Sequence, residues 1–202
     1  MIECYDLYMP ILNPGYYNER DLSQYGFLNL GTNVLIAKDA IIIGQHNISL
    51  GSNIKIDSNV TLAASSGKLQ IGNFVHIGGS SHFSCSGGVM VRDFVTISQG
   101  VKVYSASDDY SGESLTNPTV PEEFKIVDRK SVLISNHVII GSNSVVLPGV
   151  NLGIGAAIGA LSLVKGSIDS WSIYGGNPLR KIKGRSKKIL EIEKHFLDSL
   201  KV

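Results

Sequence analysis

Histidines and acidic residues are the side chains of this sequence that we consider first for proton exchange with a substrate. The five histidines are widely spaced, and none stands in a CxxC or HxxxH context, so we expect no metal site. An adjacent aspartate pair, Asp108 and Asp109, lies in the polar stretch YSASDDYSGES. Four cations follow the segment GGNP near the C-terminus: Arg180, Lys181, Lys183 and Arg185. Such a run either binds phosphate groups or forms a solvated surface.

The spacing of aliphatic residues indicates which fold must position these groups. From Ile134 to Val164 an aliphatic residue stands at every sixth position. The same step occurs in four earlier groups: Leu30, Ile36 and Ile42; Leu50, Ile56 and Leu62; Ile71, Ile77 and Phe83; Val91, Ile97 and Val103. Because side chains alternate sides along a strand, a period of six keeps these residues on one side of it.

Three such hexads make one triangular coil, and about six coils stack so that each covers the apolar edge of the next. An antiparallel sandwich would instead show strands of variable length bounded by clusters of turn residues. We therefore predict an all-β fold, a parallel β-helix over residues 30–185.

Three segments do not follow the repeat. Residues 1–29 are predicted to be an N-terminal extension with a short helix around Glu19–Tyr25. A large loop, 104–131, interrupts the coils, and loops of that size in a compact domain are usually functional. In residues 186–202 the apolar residues recur at helical spacing behind a serine N-cap, Ser186, which predicts a C-terminal α-helix.

The composition is that of a soluble globular protein. The 202 residues suit one domain, charged residues make up 17%, and the formal net charge is +1. This balance gives no support to nucleic acid or a membrane as a partner. Cys4 and Cys85 show neither metal-ligand spacing nor a disulfide framework, and the first residues lack the positive charge of a signal peptide. A cytoplasmic location is therefore expected.

The hexads from Leu30 to Arg185 resemble those of the left-handed β-helix, or hexapeptide-repeat, acyltransferase superfamily. The stretch IIGSNSVVLPGVNLGIGAAIGALSLVKGSI, followed by YGGNPLRKIKGR, is similar to the C-terminal signature of that superfamily. The similarity is greatest to the branch that acts on sugars, and VYSASDDYSGESLTNPTVP resembles the loop of the N-acyltransferase of anthrose biosynthesis, a sugar-nucleotide enzyme. The resemblance implies a left-handed coil and a homotrimer with active sites between neighbouring subunits.

The resemblance also implies that acyl-CoA is the donor, with its pantetheine arm lying along the coils. Four small residues would let such a ligand lie against the backbone: Gly141, Ser142, Gly159 and Ala160. The segment expected to hold the CoA phosphates contains Pro178, Arg180, Lys181, Lys183 and Arg185.

On the acceptor side the sequence departs from the sugar O-acetyltransferases, which have a histidine base where the chain enters the large loop. After Val103 no histidine occurs before His137. An amine acceptor needs less help than a hydroxyl, because a carboxylate can attract the ammonium form and later accept its proton. By resemblance to the anthrose-pathway loop, Asp108 is the expected base or anchor. Alternatively the aspartate pair is a solvated turn cap.

Other site residues are expected from their outward position on the coils. Ser98 and, more weakly, Thr96 flank the interior Ile97, so the Ser98 hydroxyl or a nearby N–H could orient the amine or bind the oxyanion. Contacts with the acceptor are expected at Tyr104, Asp109 and Ser84. His76 and His82 also face outward and are the rival catalytic residues, although each could equally be a solvated surface histidine.

These observations favour a CoA-dependent N-acyltransferase that acts on the amino group of a nucleotide-linked amino-deoxysugar for surface polysaccharide. A sugar O-acetyltransferase of the galactoside or maltose type, with His76 or His82 as base, is the alternative. A catalytically inactive, trimeric β-helix scaffold is the third hypothesis.

Overall fold

The fold is a three-sided prism built from stacked coils. The computed structural model describes residues 14–201. Each coil contributes three short strands, and strands at the same place in successive coils pair in parallel. The first strands of the coils form face 1, the second strands face 2 and the third strands face 3.

The strands of the coils are two to four residues long. The chain begins with β1 (Tyr16–Tyr17) and α1 (Glu19–Leu22). Coils one and two contain β2 (Asn29–Leu30), β3 (Val34–Ala37), β4 (Ile41–Ile43), β5 (Ile48–Leu50), β6 (Ile54–Ile56) and β7 (Thr61–Ala63). Coils three and four contain β8 (Leu69–Ile71), β9 (Val75–Ile77), β10 (His82–Ser84), β11 (Val89–Val91), β12 (Thr96–Ile97) and β13 (Lys102–Tyr104). Coils five and six contain β16 (Val132–Ile134), β17 (Ile139–Ile140), β18 (Val145–Val146), β19 (Asn151–Leu152), β20 (Ala157–Ile158) and β21 (Leu163–Val164).

Each coil turns its aliphatic residues into the centre of the prism. On face 2 the interior residues of successive coils pair directly and are buried: Ile36, Ile56, Ile77, Ile97, Ile140 and Ile158. Because neighbouring coils cover each apolar edge, strands this short can form a continuous core. The predicted left-handed β-helix is confirmed, with six complete coils and the beginning of a seventh.

The corner between faces 1 and 2 is lined by residues in the left-handed backbone conformation. Asn33 and Asn53 begin this series, and Phe74, Phe94 and His137 continue it, all with φ between 54° and 62°. Asparagine tolerates this conformation, whereas it is uncommon for phenylalanine. The rings of Phe74 and Phe94 stack with centroids 4.7 Å apart, and Phe94 stacks on His137 at 5.5 Å. Ring packing therefore offsets part of the backbone cost.

The C-terminal helix, α2 (Ile189–Ser199), packs on this aromatic corner of its own chain. The Phe196 ring meets Phe74 edge-on at 5.3 Å, and the Glu193 carboxylate lies 3.1 Å from Nε2 of the buried His137. The helix begins later than predicted. Its N-cap is Lys188, so the prediction of Ser186 as N-cap is wrong, although the Ser186 hydroxyl accepts from the Lys188 N–H at 3.2 Å.

The long loop between coils four and five contains a hairpin that the sequence did not predict. β14 (Ala106–Asp108) pairs antiparallel with β15 (Val127–Arg129), and together they form the stem of an arm. The arm leaves the prism at the corner between faces 3 and 1, since it follows β13 and precedes β16. Its tip, 109–126, includes a 3₁₀ turn at Glu122–Phe124.

An antiparallel strand covers each end of face 2. β1 pairs with β3 at one end, while β22 (Ser172–Gly175) starts the seventh coil and pairs with β23 (Arg180–Gly184) at the other. Such strands hide edges that could otherwise pair with another chain. The predicted extension lies partly outside the described residues, and its expected helix corresponds to α1 and a 3₁₀ turn at Ser23–Tyr25. No helix within residues 14–201 is long and apolar enough to cross a bilayer.

Replacing Phe83 by alanine should strongly destabilise the prism. Its side chain is fully buried on face 3, and removing a buried phenylalanine ring typically costs about 3–5 kcal/mol. The matched control is Phe124→Ala, since Phe124 is 56% exposed on the arm. Chemical denaturation should show a large loss of unfolding free energy for the first variant and a small one for the second. Equal losses would contradict this description of the core.

Candidate functional site

The corner at which face 2 turns into face 3 carries a vertical row of small and polar residues. From coil two onward, the residue that follows the interior residue of a coil lies over its counterpart in the next: Asp57, Gly78, Ser98, Gly141, Gly159 and Gly175, here called the corner column. The N–H groups of the first five donate to carbonyl oxygens of the following coil at 2.7–3.0 Å. The column is therefore as regular as the strands beside it.

Two glycines of the corner column differ in what a side chain would meet. A Cβ at Gly141 would overlap the backbone nitrogen of Ala160, so coil packing itself requires glycine there. A Cβ at Gly159 would lie 3.5 Å from the carbonyl oxygen of Tyr174, which is an ordinary contact. The fold therefore does not require glycine at 159, and its missing side chain leaves the surface of the corner open. Ser142 and Ala160 occupy the next position of their coils.

Ser98 interrupts the glycines of the corner column in coil four. Its N–H donates to the carbonyl of Ile140 at 2.9 Å, and its carbonyl accepts from the Ser81 hydroxyl at 3.1 Å. The Ser98 hydroxyl itself has no hydrogen-bond partner among residues 14–201, so it is available to a ligand. Thr96 lies two residues earlier on face 2, paired with His76 of the preceding coil.

His76 forms a close pair with an aspartate of the corner column. Its Nε2 lies 2.7 Å from Oδ2 of Asp57, while Oδ1 of Asp57 accepts from the Tyr16 hydroxyl at 3.0 Å and lies 3.4 Å from Nζ of Lys55. Burial by itself raises the pKa of Asp57, but the hydrogen bonds from His76 and Tyr16 outweigh it and hold that pKa below its usual value. An ionised carboxylate therefore holds the imidazole.

Face 3 brings together three other predicted residues. Ser84 pairs with Tyr104 of the next coil, and the His82 ring lies 5.9 Å from the Tyr104 ring. Burial, and then the positive charge of Lys102, lowers the pKa of His82, so this imidazole is mostly neutral near pH 7. His76 and His82 thus belong to different faces of the prism.

The two aspartates of the arm have different environments. Asp109 accepts from the N–H and hydroxyl of Ser111 at 2.7 and 2.6 Å, and from the N–H of Ser114 at 2.9 Å. These hydrogen bonds lower the pKa of Asp109 to about 2. The exposed Asp108 carboxylate has no partner in the described part of the chain. Asp109 therefore organises the tip of the arm, while Asp108 remains free to meet a ligand.

The predicted basic run divides between an exposed strand and the corner between faces 1 and 2. Arg180, Lys181 and Lys183 are exposed on β23, just beyond Pro178. Among residues 14–201 only Lys181 of these three has an ionic partner, Asp169 at 3.0 Å. Arg185 instead turns inward. Its Nη1 donates to three corner carbonyls, those of His137, Gly155 and Ala156. The expectation that Arg185 belongs to the phosphate-binding surface is therefore wrong.

The structure thus places Ser98 and the predicted glycines in the corner column, His76 beside it on face 2, and Asp108 and Asp109 on a separate arm. The sequence analysis missed Asp57, the partner of His76. Its signal was present, because Asp57 follows Ile56 as Gly78 follows Ile77 and Ser98 follows Ile97. Within residues 14–201 no cluster of three or more His, Cys, Asp or Glu side chains could hold a metal ion.

Comparison with known proteins gives two close matches. No family model matches the chain. It is 41% identical over 184 residues to the dTDP-4-amino-4,6-dideoxy-D-glucose acyltransferase of Escherichia coli, a match that covers 91% of this chain and 96% of that protein. It is also similar to AntD, an N-acyltransferase from Bacillus cereus solved in complex with dTDP and 3-hydroxybutyryl-CoA. The TM-score is 0.89 at 43% identity, covering 93% of this chain and 99% of that one.

A more distant structure shares the fold alone. The hexapeptide-repeat acetyltransferase VCA0836 of Vibrio cholerae matches with a TM-score of 0.55 at 19% identity, over 83% of this chain and 80% of that one.

Asp109→Ala should loosen the tip of the arm, because it removes the acceptor shared by Ser111 and Ser114. Hydrogen exchange at the N–H groups of these serines should become faster, while exchange in the stem stays unchanged. With a folded pKa of about 2, below the unfolded value of about 3.9, this stabilisation is present above the unfolded pKa and disappears as the pH falls through 2. Asp108→Ala is the control. Faster exchange in both variants, or in neither, would contradict the assignment.

Proposed function

Since the chain belongs to the hexapeptide-repeat acyltransferase family, we propose that it transfers an acyl group from acyl-CoA to the amino group of a nucleotide-linked amino-deoxysugar. The observation that carries this proposal is the similarity to two nucleotide-sugar acyltransferases over more than nine-tenths of each chain. The acceptor is then a dTDP-linked 4-amino-4,6-dideoxysugar or a close analogue. We place the enzyme in the cytoplasm, in the biosynthesis of surface polysaccharide.

The corner column supports the donor side of this proposal. Gly159 leaves the corner open without being required by the packing, and Gly175 continues the column towards β23. Arg180 and Lys183 offer exposed cations without ionic partners in the described part of the chain, beside Lys181. A pantetheine arm along the column would have CoA phosphates at β23 and its thioester near Ser98.

Ser98 and Asp108 support the acceptor side, since both have polar groups without partners among the described residues. AntD has been crystallised with a serine replaced by alanine, threonine or cysteine, and with an aspartate ten positions further on replaced by alanine or asparagine. In this chain Ser98 and Asp108 are the only serine and aspartate with that order and spacing. In the proposed reaction the Asp108 carboxylate attracts the ammonium and accepts a proton after attack, while Ser98 donates to the reacting groups.

The paired His76 favours the alternative, a sugar O-acetyltransferase, because a hydroxyl acceptor must lose its proton to a general base as it attacks. An assay with acetyl-CoA and 3-hydroxybutyryl-CoA separates the two. The acceptors are dTDP-4-amino-4,6-dideoxyglucose and its 4-hydroxy counterpart, dTDP-6-deoxyglucose. Thiol release and mass spectrometry should show an amide with the first acceptor and no product with the second. Ester formation instead would favour the O-acetyltransferase.

Asp108→Asn should lower kcat/KM for the amino sugar by ~10²–10⁴-fold, because the amide keeps the shape of the side chain but removes its charge and basicity. The matched control is Asp128→Asn. Asp128 lies on the opposite strand of the same stem and pairs with Lys130. The control should retain nearly normal activity. Wild-type activity in Asp108→Asn would remove Asp108 from the mechanism.

Gly159→Ala should raise the KM for acyl-CoA by about tenfold, which corresponds to roughly 1.4 kcal/mol, without loss of fold stability. The added methyl group makes only ordinary contacts within the chain but extends into the proposed donor surface. Gly141→Ala is the informative comparison, because there the methyl group overlaps backbone and should lower the unfolding midpoint. An unchanged KM in a stable Gly159→Ala protein would show that acyl-CoA does not bind along the corner column.

We also propose that the enzyme is a homotrimer with shared active sites. In one chain the width of face 3 separates Ser98 from the base of the arm that carries Asp108. Four large apolar side chains on the arm are exposed: Tyr110, Leu115, Phe124 and Ile126. A neighbouring copy would cover them and receive Asp108 opposite its own Ser98.

Mixing two inactive variants tests whether the sites are shared. Ser98→Ala and Asp108→Asn subunits should regain activity when unfolded and refolded together, but not when refolded separately. Random assembly would give about one site in four an intact serine from one chain and an intact aspartate from the next. Sedimentation should report a trimer. No regained activity, or an active monomer, would contradict the shared site.

A further inference from the structure

Acylation of an amine starts from an ammonium ion and ends at an amide, so the acceptor nitrogen must lose two protons. The first must leave before attack, because only the free amine has a lone pair. The second leaves after the new C–N bond has formed. Asp108 accounts for one of these transfers in the proposed function. A second proton acceptor near Ser98 would carry out the other transfer within the site, without waiting for the amine to lose its proton to solvent.

We propose that His76, positioned by Asp57, is this second acceptor. Because the ionised Asp57 carboxylate can only accept hydrogen bonds, the ring nitrogen 2.7 Å from it, Nε2, must carry a proton. In the neutral ring Nδ1 then holds the lone pair. Nδ1 makes no hydrogen bond in the described part of the chain, and the side chain is 42% exposed. The Asp57 carboxylate thus orients the imidazole so that its basic nitrogen, Nδ1, is accessible to a ligand.

The position of His76 fits this role. Its Cα pairs with Thr96 of the next coil, and Ser98 lies two residues further along that coil. With strands ~4.8 Å apart and a rise of ~3.3 Å per residue, the Cα atoms of His76 and Ser98 are about 8 Å apart. The imidazole lies on the side of coil two, because it bonds to Asp57. We therefore place the sugar amine between the Ser98 hydroxyl and the imidazole. His82 cannot replace it, because His82 lies around the corner on face 3.

The groups around the His76–Asp57 pair contact the Asp57 carboxylate and do not compete with it for the imidazole ring. Asp57 uses one oxygen for His76 and the other for the Tyr16 hydroxyl and Lys55. Among residues 14–201, Lys55 and Tyr16 are the titratable groups besides Asp57 that face His76, and the next coil offers the uncharged Thr96. A purely structural role, in which Asp57 attaches β1 to face 2, needs only the bond from Tyr16 and does not involve the imidazole.

These groups account for each bond broken or formed and each proton transferred in the reaction. An N–H bond of the ammonium breaks as Nδ1 of His76 gains a proton, and Asp57 stabilises the resulting imidazolium. The free amine attacks the thioester carbonyl carbon, and the C–S bond breaks. The second nitrogen proton passes by way of Asp108 to the leaving thiolate. The products are the amide and the CoA thiol, and His76 returns its proton to solvent.

The first test is His76→Ala, assayed with dTDP-4-amino-4,6-dideoxyglucose and acetyl-CoA. At pH 7 kcat should fall by ~10²–10⁴-fold, with the KM for acetyl-CoA unchanged. The loss should shrink at high pH, where the amine is free in solution, and added imidazole should restore activity. His195→Ala is the control, since His195 is exposed on α2 and lies outside the site. A kcat within about threefold of wild type would overturn the proposal.

A pair of substitutions tests Asp57 as a positioning residue. Tyr16→Phe keeps the carboxylate and the imidazole but removes the bond to β1, whereas Asp57→Asn removes the charge that orients the ring. We expect Asp57→Asn to lower kcat at least tenfold more than Tyr16→Phe, and Asp57→Glu to recover part of that loss. Equal effects of the first two variants on kcat and on the unfolding midpoint would reduce Asp57 to a structural anchor.

This proposal depends on the proposed function for its substrate, but its failure can be recognised separately. Should the wild-type enzyme acylate the hydroxyl sugar instead, the amine proposal fails, while a loss of kcat in His76→Ala on that acceptor still supports the base. Nitrogen-15 NMR of the histidine ring supplies a reading that needs no substrate. A proton on Nε2 supports the assignment, and one on Nδ1 overturns it whatever the acceptor.

Discussion

The parallel hydrogen-bond register between successive coils is the constraint on which the rest of this structure depends. Each coil is too short to form a stable sheet alone, so its strands exist because equivalent residues above and below pair with them. The register that stacks Ile56, Ile77 and Ile97 inside the prism also stacks Asp57, Gly78 and Ser98 at the corner. Core and candidate site are therefore built by the same repeat, one residue apart.

This arrangement lets single positions change without disturbing the coil. Glycine is required at position 141, where the backbones of two coils meet, but not at position 159. Two glycines that look alike in the sequence are therefore constrained by different contacts. Asp57 and Ser98 occupy positions of the same column that are open enough for a side chain. The chemistry that we assign to the enzyme needs a surface for the donor and a few polar groups beside it. A regular column with occasional polar members meets both needs.

Much of the fold could be predicted from the six-residue period, because the period itself is the packing rule. The segments outside the repeat were less predictable. α2 begins at Ile189 because its packing against Phe74 and His137 decides its position, and the Ser186 signal is local only. The different environments of the adjacent Asp108 and Asp109 could not be predicted either, because they arise when Asp109 accepts hydrogen bonds from Ser111 and Ser114. The pairing of His76 with Asp57 joins residues 19 positions apart, and only the stacking of the hexads reveals it.

The central claim is that acyl-CoA binds along the corner column, with its thioester at Ser98. A crystal structure with bound CoA tests this claim most directly. The pantetheine arm should lie along Gly159 and Gly141, with the 3′-phosphate or diphosphate near Arg180 and Lys183. Its sulfur should be within about 4 Å of the Ser98 hydroxyl, roughly contact distance. CoA bound along another corner, or with its sulfur far from Ser98, would contradict the account.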